Sequence, residues 1–506
     1  MTIYNINLGI GWASSGVEYA QAYRAHLFRN KKIPAKFIFM DMILADNIQH
    51  LTSNMGFQDD EIIWLYNHFT DIKIAPTTYR LQQVVEGVSG QADRVERNGK
   101  IVRYFYSQED KFITCYLRNE EEDFVERVEY VSRGKLIRKD YFSYVRYASE
   151  YFAPDNQRAK LYLRRFYNED GSLAYDIVMN EGKENLYRFP DQLFYSKQEF
   201  IRYFMQTLAL KKSDIVLLDR EKDIGQVIFE EAQKARLGVV IHAEHFSKNA
   251  TNHDYILWNN FYDYQFTNAD KIDFFIVATE TQKEILTQQF ERYTAFHPKI
   301  YTIPVGSLDL LRYPEKKRVP FSMITASRLA TEKHLDWLIK ATIEARKQLP
   351  NLTLDIYGSG GERENLSQLI EREKAQEYIR LKGHEDLTQV YLHYELYLTA
   401  STSEGFGLTL MEAVGSGLPL IGFDVPYGNQ TFIRDGENGY LLPISSNHVE
   451  SFIIDSYARK ICKIYTDNLL ETMREKSYQL AQGYLTNQVE TAWERLIKEN
   501  SDDSII

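Results

Sequence analysis

The chain has 506 residues, of which 44% are hydrophobic and 26% are charged, and its formal net charge is −11. This length predicts two or three domains of a soluble globular protein, and the acidic charge disfavours a general nucleic-acid binder. Cys115 and Cys462 form no CxxC motif, so they indicate neither a disulfide framework nor a zinc site. Residues 1–8 lack the basic and apolar regions of a signal peptide, and no window reaches the ~18 apolar residues of a membrane helix. We therefore expect a cytoplasmic protein.

The first 66 residues predict the start of an α/β domain. A strand at 3–8 precedes a glycine-containing loop, a helix at 17–29 and a second strand at 35–40. The loop glycines fall at positions 9, 11 and 16, a spacing that differs from the dinucleotide-binding GxGxxG motif. We expect the backbone N–H groups of Gly16 and Val17 to point toward a ligand at the start of the helix.

Between about residues 74 and 203 the hydrophobic pattern changes to period two. Segments rich in β-branched and aromatic residues, such as 101–106 and 160–167, alternate with turn signals such as Arg97-Asn98-Gly99. The pattern predicts an antiparallel sheet with one wet face, inserted into the α/β domain. The many Tyr and Arg residues fit either ordinary β propensity or a docking surface, and the sequence leaves both interpretations open.

From residue 210 onward predicted strands and helices alternate, which indicates parallel sheets. The strands that complete the first α/β domain are predicted at 214–219, 239–242, 273–279 and 300–306. After a linker at 311–320, a second α/β domain has predicted strands at 321–327, 352–357, 379–382, 396–399 and 418–423. Two such domains place a ligand in a cleft, at the carboxyl ends of their strands.

Candidate site residues recur at the predicted strand ends. His242 ends one strand and is followed by Glu244 and His245, which together could imitate a metal site. No further ligand cluster lies nearby in the sequence, so we expect no metal. Arg328 and Lys333 stand before a predicted helix, and two fixed cations suit a diphosphate. A solvated charge pair is the alternative interpretation.

The segment from Glu404 to Glu412 is the most informative part of the sequence. Two carboxylates eight positions apart frame a glycine–aromatic–glycine turn, directly after the apolar run 396–400. A helix that begins here favours an anion or a sugar hydroxyl near its first N–H groups. Two other predicted strand ends supply Gly358 and the pair His384-Glu385.

These motifs resemble those of retaining glycosyltransferases of family 4 with the GT-B fold, in which two doubly wound Rossmann-like domains face a cleft. The resemblance implies that Arg328 and Lys333 stabilise the departing nucleoside diphosphate, and that Glu404 acts with them in catalysis. It implies donor-sugar contacts from His242, Glu404, Gly405, Phe406 and Gly407, and no need for a metal. It also implies UDP contacts from Gly16, Val17, Glu18, Tyr19, Arg328, Lys333, Gly358, His384, Glu385, Leu408 and Glu412.

Residues 5–20, the predicted β insertion and residues 239–245 together resemble a narrower family. Its members are the catalytic subunits of the accessory-secretion glycosyltransferases that modify serine-rich-repeat adhesins in Gram-positive bacteria. The resemblance, which covers essentially the full chain, implies transfer of N-acetylglucosamine (GlcNAc) from UDP-GlcNAc to Ser/Thr hydroxyls of an unfolded polypeptide. It further implies a homologous non-catalytic subunit as partner, and it leaves open a peripheral association with the inner face of the cell membrane.

The domain limits that follow are 1–74 and 204–312 for an N-terminal Rossmann-like domain, 75–203 for the inserted β domain, 313–480 for a nucleotide-sugar-binding domain, and 481–506 for a crossover helix. Three other functions stay open: a UDP-GlcNAc epimerase, a transferase acting on a glycan or lipid, and a non-catalytic binding subunit. An inactive copy should have lost Arg328, Lys333 or Glu404. For the mechanism we expect front-face attack by the acceptor hydroxyl, rather than a nucleophilic Glu404.

Overall fold

The computed structural model describes residues 1–11, 16–155, 158–444 and 449–501. Residues 12–15 of the predicted glycine loop and residues 502–506 of the predicted C-terminal segment lie outside this part of the chain. The chain forms two compact units, residues 1–239 and residues 240–503. Every helix in the described ranges is too short or too polar to cross a bilayer.

The first unit contains five parallel strands whose residues are almost all buried, as expected for strands covered on both faces. In spatial order they are Ile62–Trp64, Ala35–Phe39, Ile3–Asn7, Ile215–Leu218 and Arg236–Ile241. The central strand begins the chain and pairs with a strand that follows the insertion, with Ile3 opposite Ile215. The helices of this region are Gly16–Asn30, Ile48–Asn54, Lys197–Thr207 and Gly225–Glu231.

The predicted insertion is a ten-stranded antiparallel sheet in which each strand pairs with its neighbours in the chain. One helix, Leu81–Glu86, packs beside it. Arg133 and Gly134 connect two strands with φ angles of 51° and 66°, as a two-residue hairpin turn requires. The strands are Arg94–Asn98, Ile101–Tyr106, Lys111–Leu117, Val125–Ser132, Lys135–Phe142, Arg146–Asp155, Arg158–Tyr167, Leu173–Asn180, Lys183–Arg188 and Leu193–Phe194.

Several aromatic residues of the insertion lie in one buried cluster at the base of this sheet. Tyr175 stacks between Phe166 and Phe189, with ring centroids 4.7 Å apart on both sides. Tyr66, two residues after the parallel strand Ile62–Trp64, stacks on Phe166 at 5.9 Å. The cluster therefore joins the insertion to the α/β part of the first unit. Other aromatic residues of the insertion stay exposed, among them Tyr162 in the sheet (44%) and Tyr195 directly after its last strand (69%).

The second unit contains a parallel pair, Phe274–Val277 and Ile300–Thr302, and a six-stranded parallel sheet. The five strands predicted for the second α/β domain are confirmed, and a sixth, Gly439–Leu442, joins at one edge. In spatial order this sheet is Ile379–Gly383, Thr353–Tyr357, Ser322–Ala326, Leu396–Leu398, Leu420–Phe423 and Gly439–Leu442. The helices of the second unit include Asp263–Thr267, Glu280–Tyr293, Leu335–Arg346, Arg363–Arg372, Leu408–Gly415, Gly428–Phe432, Glu450–Thr466, Leu470–Ala481 and Thr486–Asn500.

The last helix, Thr486–Asn500, lies against the strand Ile300–Thr302. The hydroxyl of Tyr301 donates a hydrogen bond to Glu499 at 2.7 Å and accepts one from Asn500 at 3.0 Å. The helix thus returns to a strand of the predicted N-terminal domain, as a crossover helix would. The predicted limit at residue 204 falls inside the helix Lys197–Thr207. The domain limits themselves stay predictions.

Candidate active site

The segment that contains Glu404 is held by backbone contacts. Gly407 precedes the helix Leu408–Gly415 with a φ of 88°, a conformation that favours glycine. A β-carbon on Gly405 would lie 2.8 Å from the carbonyl oxygen of His242, so only glycine lets these two segments touch. The N–H groups of Tyr427 and Gly428 donate to the carbonyl of Glu404 at 2.9 and 2.8 Å. Glu404 and His242 are therefore neighbours, as predicted residues of one sugar site should be.

Lys333 and Glu404 form the central charge pair of the site. The Lys333 ammonium lies 2.7 Å from the Glu404 carboxylate and also donates to the Ser401 hydroxyl at 2.8 Å. Both side chains are mostly buried, with 17% and 25% of their surfaces exposed, so solvent screens this pair less than an ion pair at the surface. Lys333 ends a single 3₁₀ turn, and the following residue, His334, has a left-handed conformation (φ 44°) before the helix Leu335–Arg346. This turn directs the Lys333 side chain toward Ser401 and Glu404, which follow the strand Leu396–Leu398.

Arg328 lies in a different environment from Lys333. Its side chain is 73% exposed and pairs with Glu332, four positions further along the chain, at 3.1 Å. An exposed pair of this kind contributes little to stability. The guanidinium can therefore exchange Glu332 for an anionic ligand at small cost.

Three strand-end loops of the second unit are tied together by their backbones. A β-carbon on Gly358 (φ 131°) would lie 1.9 Å from the carbonyl oxygen of Ser327, so this position requires glycine. The Gly358 N–H donates to the carbonyl of Gly383 at 2.7 Å, and Leu329 N–H donates to Ser359 at 2.9 Å. The loops bearing Arg328, Gly358 and His384 consequently form one surface, on which His384 and Glu385 are exposed.

Glu412 sits in the second turn of the helix Leu408–Gly415, below the partly buried Leu408. Its carboxylate accepts a hydrogen bond from the Tyr391 hydroxyl at 3.0 Å. Burial raises the pKa of this carboxyl to about 7. A buried carboxylate gains when hydroxyl groups of a ligand donate to it.

His242 follows directly on the strand Arg236–Ile241, and hydrogen bonds to a tyrosine hold its backbone in place. The N–H groups of His242 and Ala243 both donate to the Tyr262 hydroxyl, at 3.0 and 3.1 Å. Burial raises the pKa of the neighbouring Glu244 carboxyl, whose hydrogen bond to Ser403 opposes the shift. Ser403 precedes Glu404, so a second contact joins the same two segments.

The predicted nucleotide contacts of the first unit lie at the start of the helix Gly16–Asn30. Tyr19 is 45% exposed. Glu18, by contrast, is buried, and its carboxylate accepts hydrogen bonds from Arg220 at 2.9 Å and Asn7 at 3.3 Å. This carboxylate is thus engaged inside the protein and can only accept, so the donors that the helix start offers to a phosphate are its backbone N–H groups.

One group of His and carboxylate side chains in the described residues could hold a metal ion. Its members, Asp46, His50 and Glu126, have ligand atoms within 4.8 Å of one another and lie in the first unit. None of them is a predicted site residue. Within the described ranges, His242, Glu244 and His245 form no such group.

Two family models match the sequence. Residues 94–191 match the GtfA extended beta-sheet domain, and residues 312–480 match the glycosyl transferases group 1. The GtfA subunit of a UDP-N-acetylglucosamine–peptide N-acetylglucosaminyltransferase from Streptococcus gordonii is 70% identical over 100% of both chains. The chain belongs to the GtfA family. The family predicted from the sequence is confirmed.

Solved structures agree with the GtfA assignment. The pneumococcal O-GlcNAc transferase GtfA in complex with UDP and GlcNAc is 64% identical, with a TM-score of 0.94 and 99% of each chain covered. A GtfA/B complex contains a chain 70% identical to this one, with a TM-score of 0.96 and again 99% of each chain covered. The predicted fold class, GT-B with an inserted antiparallel sheet, is confirmed.

The roles of several side chains that hold the site residues in place could not be predicted from the sequence. Ser401, Tyr262, Tyr391 and Tyr427 contact predicted site residues but stand in no recognisable motif. Tyr427 pairs with Glu404, from which the helix Leu408–Gly415 and the strand Leu420–Phe423 separate it in the chain, and tyrosine is common in this sequence. No local signal distinguishes these tyrosines from the others.

Proposed function

We propose that this GtfA chain transfers GlcNAc from UDP-GlcNAc to Ser/Thr hydroxyls of a serine-rich-repeat adhesin, as the catalytic subunit of a two-protein complex. Relatives 64–70% identical over nearly the whole chain are named for GlcNAc transfer to peptide, which supports the donor and the acceptor class. The relative in the GtfA/B complex supports a second subunit. The serine-rich-repeat acceptor, a cytoplasmic location and metal independence rest on the sequence resemblance and belong to the proposal.

The observation that carries the mechanism is the Lys333–Glu404 pair. It places a fixed positive charge and a hydrogen-bond acceptor 2.7 Å apart, beside the start of the helix Leu408–Gly415. We assign Lys333 and Arg328 to the diphosphate, where their charges stabilise the leaving group as the sugar bond breaks. Glu404 and the N–H groups of Gly405, Phe406 and Gly407 then hold the sugar hydroxyls, together with His242.

The ion pair argues against a nucleophilic Glu404. A carboxylate neutralised by a lysine at 2.7 Å attacks carbon poorly, and its backbone is held by Tyr427 and Gly428. In the proposed reaction the acceptor oxygen bonds to C1 of GlcNAc on the face that UDP leaves. The bond between C1 and the phosphate oxygen breaks, and the hydroxyl proton passes to that phosphate. Catalysis then rests on orientation and charge stabilisation.

The nucleotide is assigned to the surface formed by the strand-end loops. Gly358, His384, Glu385 and Leu408 would line the base and phosphates, and Glu412 would accept the ribose hydroxyls. From the first unit, Gly16, Val17 and Tyr19 are assigned to the phosphates, with Glu18 supporting the helix start through Arg220. These assignments remain part of the proposal.

The decisive experiment compares donors and acceptors in one assay. Purified chain with its partner subunit receives UDP-GlcNAc, UDP-Glc or UDP-GalNAc, and either a Ser/Thr-rich polypeptide or a polyol phosphate. We expect UDP release and a mass gain on the polypeptide with UDP-GlcNAc. Transfer to the polyol phosphate alone would refute the polypeptide acceptor, and interconversion of UDP-sugars without an acceptor would indicate an epimerase.

We assign acceptor and partner binding to the exposed aromatic residues of the inserted sheet. Deleting the whole sheet would expose the cluster around Tyr175, so surface substitutions test the idea better. The double variant Tyr162→Ser/Tyr195→Ser should keep donor hydrolysis but lose about tenfold in polypeptide transfer. Val449→Ser, which changes an equally exposed apolar residue (66%) of the second unit, is the control. Equal transfer by both variants would refute this assignment.

A further inference from the structure

Hydrogen bonds hold most of the backbone polar groups in the four residues that follow the strand Arg236–Ile241. Besides the two N–H bonds to Tyr262, the Gln282 amide donates to the carbonyl of Ala243 at 2.9 Å. The Asn259 amide donates to the carbonyl of Glu244 at 3.0 Å, and Asn259 N–H donates to the carbonyl of His245 at 2.9 Å. Segment 242–245 is therefore a rigid support for anything that packs on it.

His245 ends this segment and is completely buried. Its Nε2 lies 2.7 Å from Oε1 of Gln289, which can only accept, so Nε2 carries the ring proton. Nδ1 must then accept, from the hydroxyl of Tyr427 at 2.9 Å and, at the longer distance of 3.5 Å, from the Gln282 amide. The two rings also stack, with centroids 5.7 Å apart and an angle of 18°. Burial lowers the pKa of this imidazole to about 4, so it stays neutral at physiological pH.

Tyr427 connects this histidine to Glu404. It is 1% exposed, and while its hydroxyl binds His245, its backbone N–H donates to the carbonyl of Glu404 at 2.9 Å. Next to this bond, Gly405 touches the carbonyl oxygen of His242, where even a β-carbon would clash at 2.8 Å. The Glu404 and His242 segments are thus joined directly at Gly405 and again through Tyr427 and His245.

We propose that His245 is a positioning residue, whose uncharged ring fixes Tyr427 and thereby sets the distance between the Glu404 segment and the His242 segment. This inference rests on the proposed function, since it assumes that both segments hold the donor sugar. His245 would touch neither the sugar nor the nucleotide. Loss of its bond to Tyr427 would let the sugar contacts drift, and small errors in position are costly to turnover.

The test separates positioning from simple stabilisation. Tyr427→Phe removes one hydroxyl and keeps the stacking and the backbone bond to Glu404. We expect its kcat for GlcNAc transfer to fall about tenfold while the Kd for UDP, measured by calorimetry, stays within about twofold. His245→Ala should behave in the same way. His245→Asn should recover most of kcat, because its amide oxygen can accept the Tyr427 hydroxyl near the position of Nδ1.

Tyr175→Phe is the matched control, since Tyr175 is equally buried and its hydroxyl donates to the carbonyl of Tyr66 at 2.6 Å in the first unit. It should lower Tm without changing kcat. All rates are measured at a temperature at which circular dichroism shows every variant folded. An unchanged kcat in Tyr427→Phe, or a His245→Asn variant no better than His245→Ala, would overturn the positioning role. Absence of transfer in the wild-type chain would instead refute the proposed function.

Discussion

The inserted sheet and the candidate active site are built in opposite ways. In the sheet, each strand pairs with its chain neighbour, and side chains make many of the contacts between adjacent strands, such as Arg94 over Phe105 and Arg138 over Tyr130, both at 3.9 Å. In the site, the decisive contacts join distant parts of the chain, and several of them run through backbone. Lys333 and Glu404 are 71 positions apart. The sheet thus depends on local sequence, whereas the site depends on the fold being complete.

This difference predicts that single changes in the site lower activity, and that single changes in the sheet lower stability. The largest effect should follow Lys333→Ala, which leaves the leaving group without its buried cation. We expect kcat for GlcNAc transfer to fall by about 100-fold or more. Lys347→Ala, which removes an exposed lysine paired with Glu344, is the control. A Lys333→Ala variant within threefold of wild type would disprove the diphosphate assignment.

A somewhat smaller effect should follow changes to the sugar contacts. Glu404→Gln and His242→Ala should each lower transfer by about 30-fold, because hydrogen bonds to the sugar are lost while the nucleotide contacts remain. Isothermal titration should show UDP binding unchanged. If UDP binding disappears in either variant, the division between sugar and nucleotide residues is wrong.

Two glycine variants compare the regions directly. Gly405→Ala places a β-carbon against the carbonyl of His242 and should lower kcat about tenfold. Gly134→Ala meets no atom within 4 Å in its hairpin, so it should cost only about 1 kcal/mol of stability for the positive φ. Kinetics and thermal unfolding of both variants test this. Equal losses of activity in the two would remove the contrast between sheet and site.

The smallest effect concerns two buried carboxyls, one in each region. Burial raises the pKa of both Glu126, in the inserted sheet, and Glu412, in the site, to about 7. Between about pH 4.5 and 7 the folded chain therefore binds protons that the unfolded chain has lost, so stability falls as pH rises through this window. Glu126→Gln and Glu412→Gln should each flatten that fall, by about 2 °C in Tm.

Only Glu412→Gln should also weaken UDP binding, because Glu126 lies in the inserted sheet. Thermal unfolding between pH 5 and 8, with and without UDP, distinguishes the two variants. A Glu126→Gln variant with weaker UDP binding would contradict the separation of the regions.

Local signals allowed most of the fold to be predicted. The hairpin at Arg97-Asn98-Gly99 follows from turn residues between alternating strands, and the buried strands follow from short apolar runs. The strand Gly439–Leu442 was missed because four residues are too few to show a clear hydrophobic pattern. The glycine positions of the site could also be predicted, since glycine marks close backbone approach.

The partners of the site residues could not be predicted in the same way. The sequence motif predicts the same role for Arg328 and Lys333. In the fold, however, Arg328 is exposed, whereas Lys333 is mostly buried and paired with Glu404. Glu18 is predicted as a nucleotide contact, and nothing in the sequence indicates that its carboxylate is buried beside Arg220, 202 positions away, and Asn7 of the first strand. Burial and pairing arise from contacts between distant segments, and a single sequence does not display them.

The position of the inserted sheet also determines the order in which the chain can fold during synthesis. Strand Ile3–Asn7 leaves the ribosome first, but its partner Ile215–Leu218 emerges only after the whole insertion; Thr2 and Asp214, which are hydrogen-bonded, are 212 positions apart. At roughly 5–20 residues per second this interval lasts on the order of 10–40 s. The ten-stranded sheet needs only neighbouring strands and can form during that time. The part of the protein assigned here to partner and acceptor binding is therefore complete before the parallel sheet beside it can close.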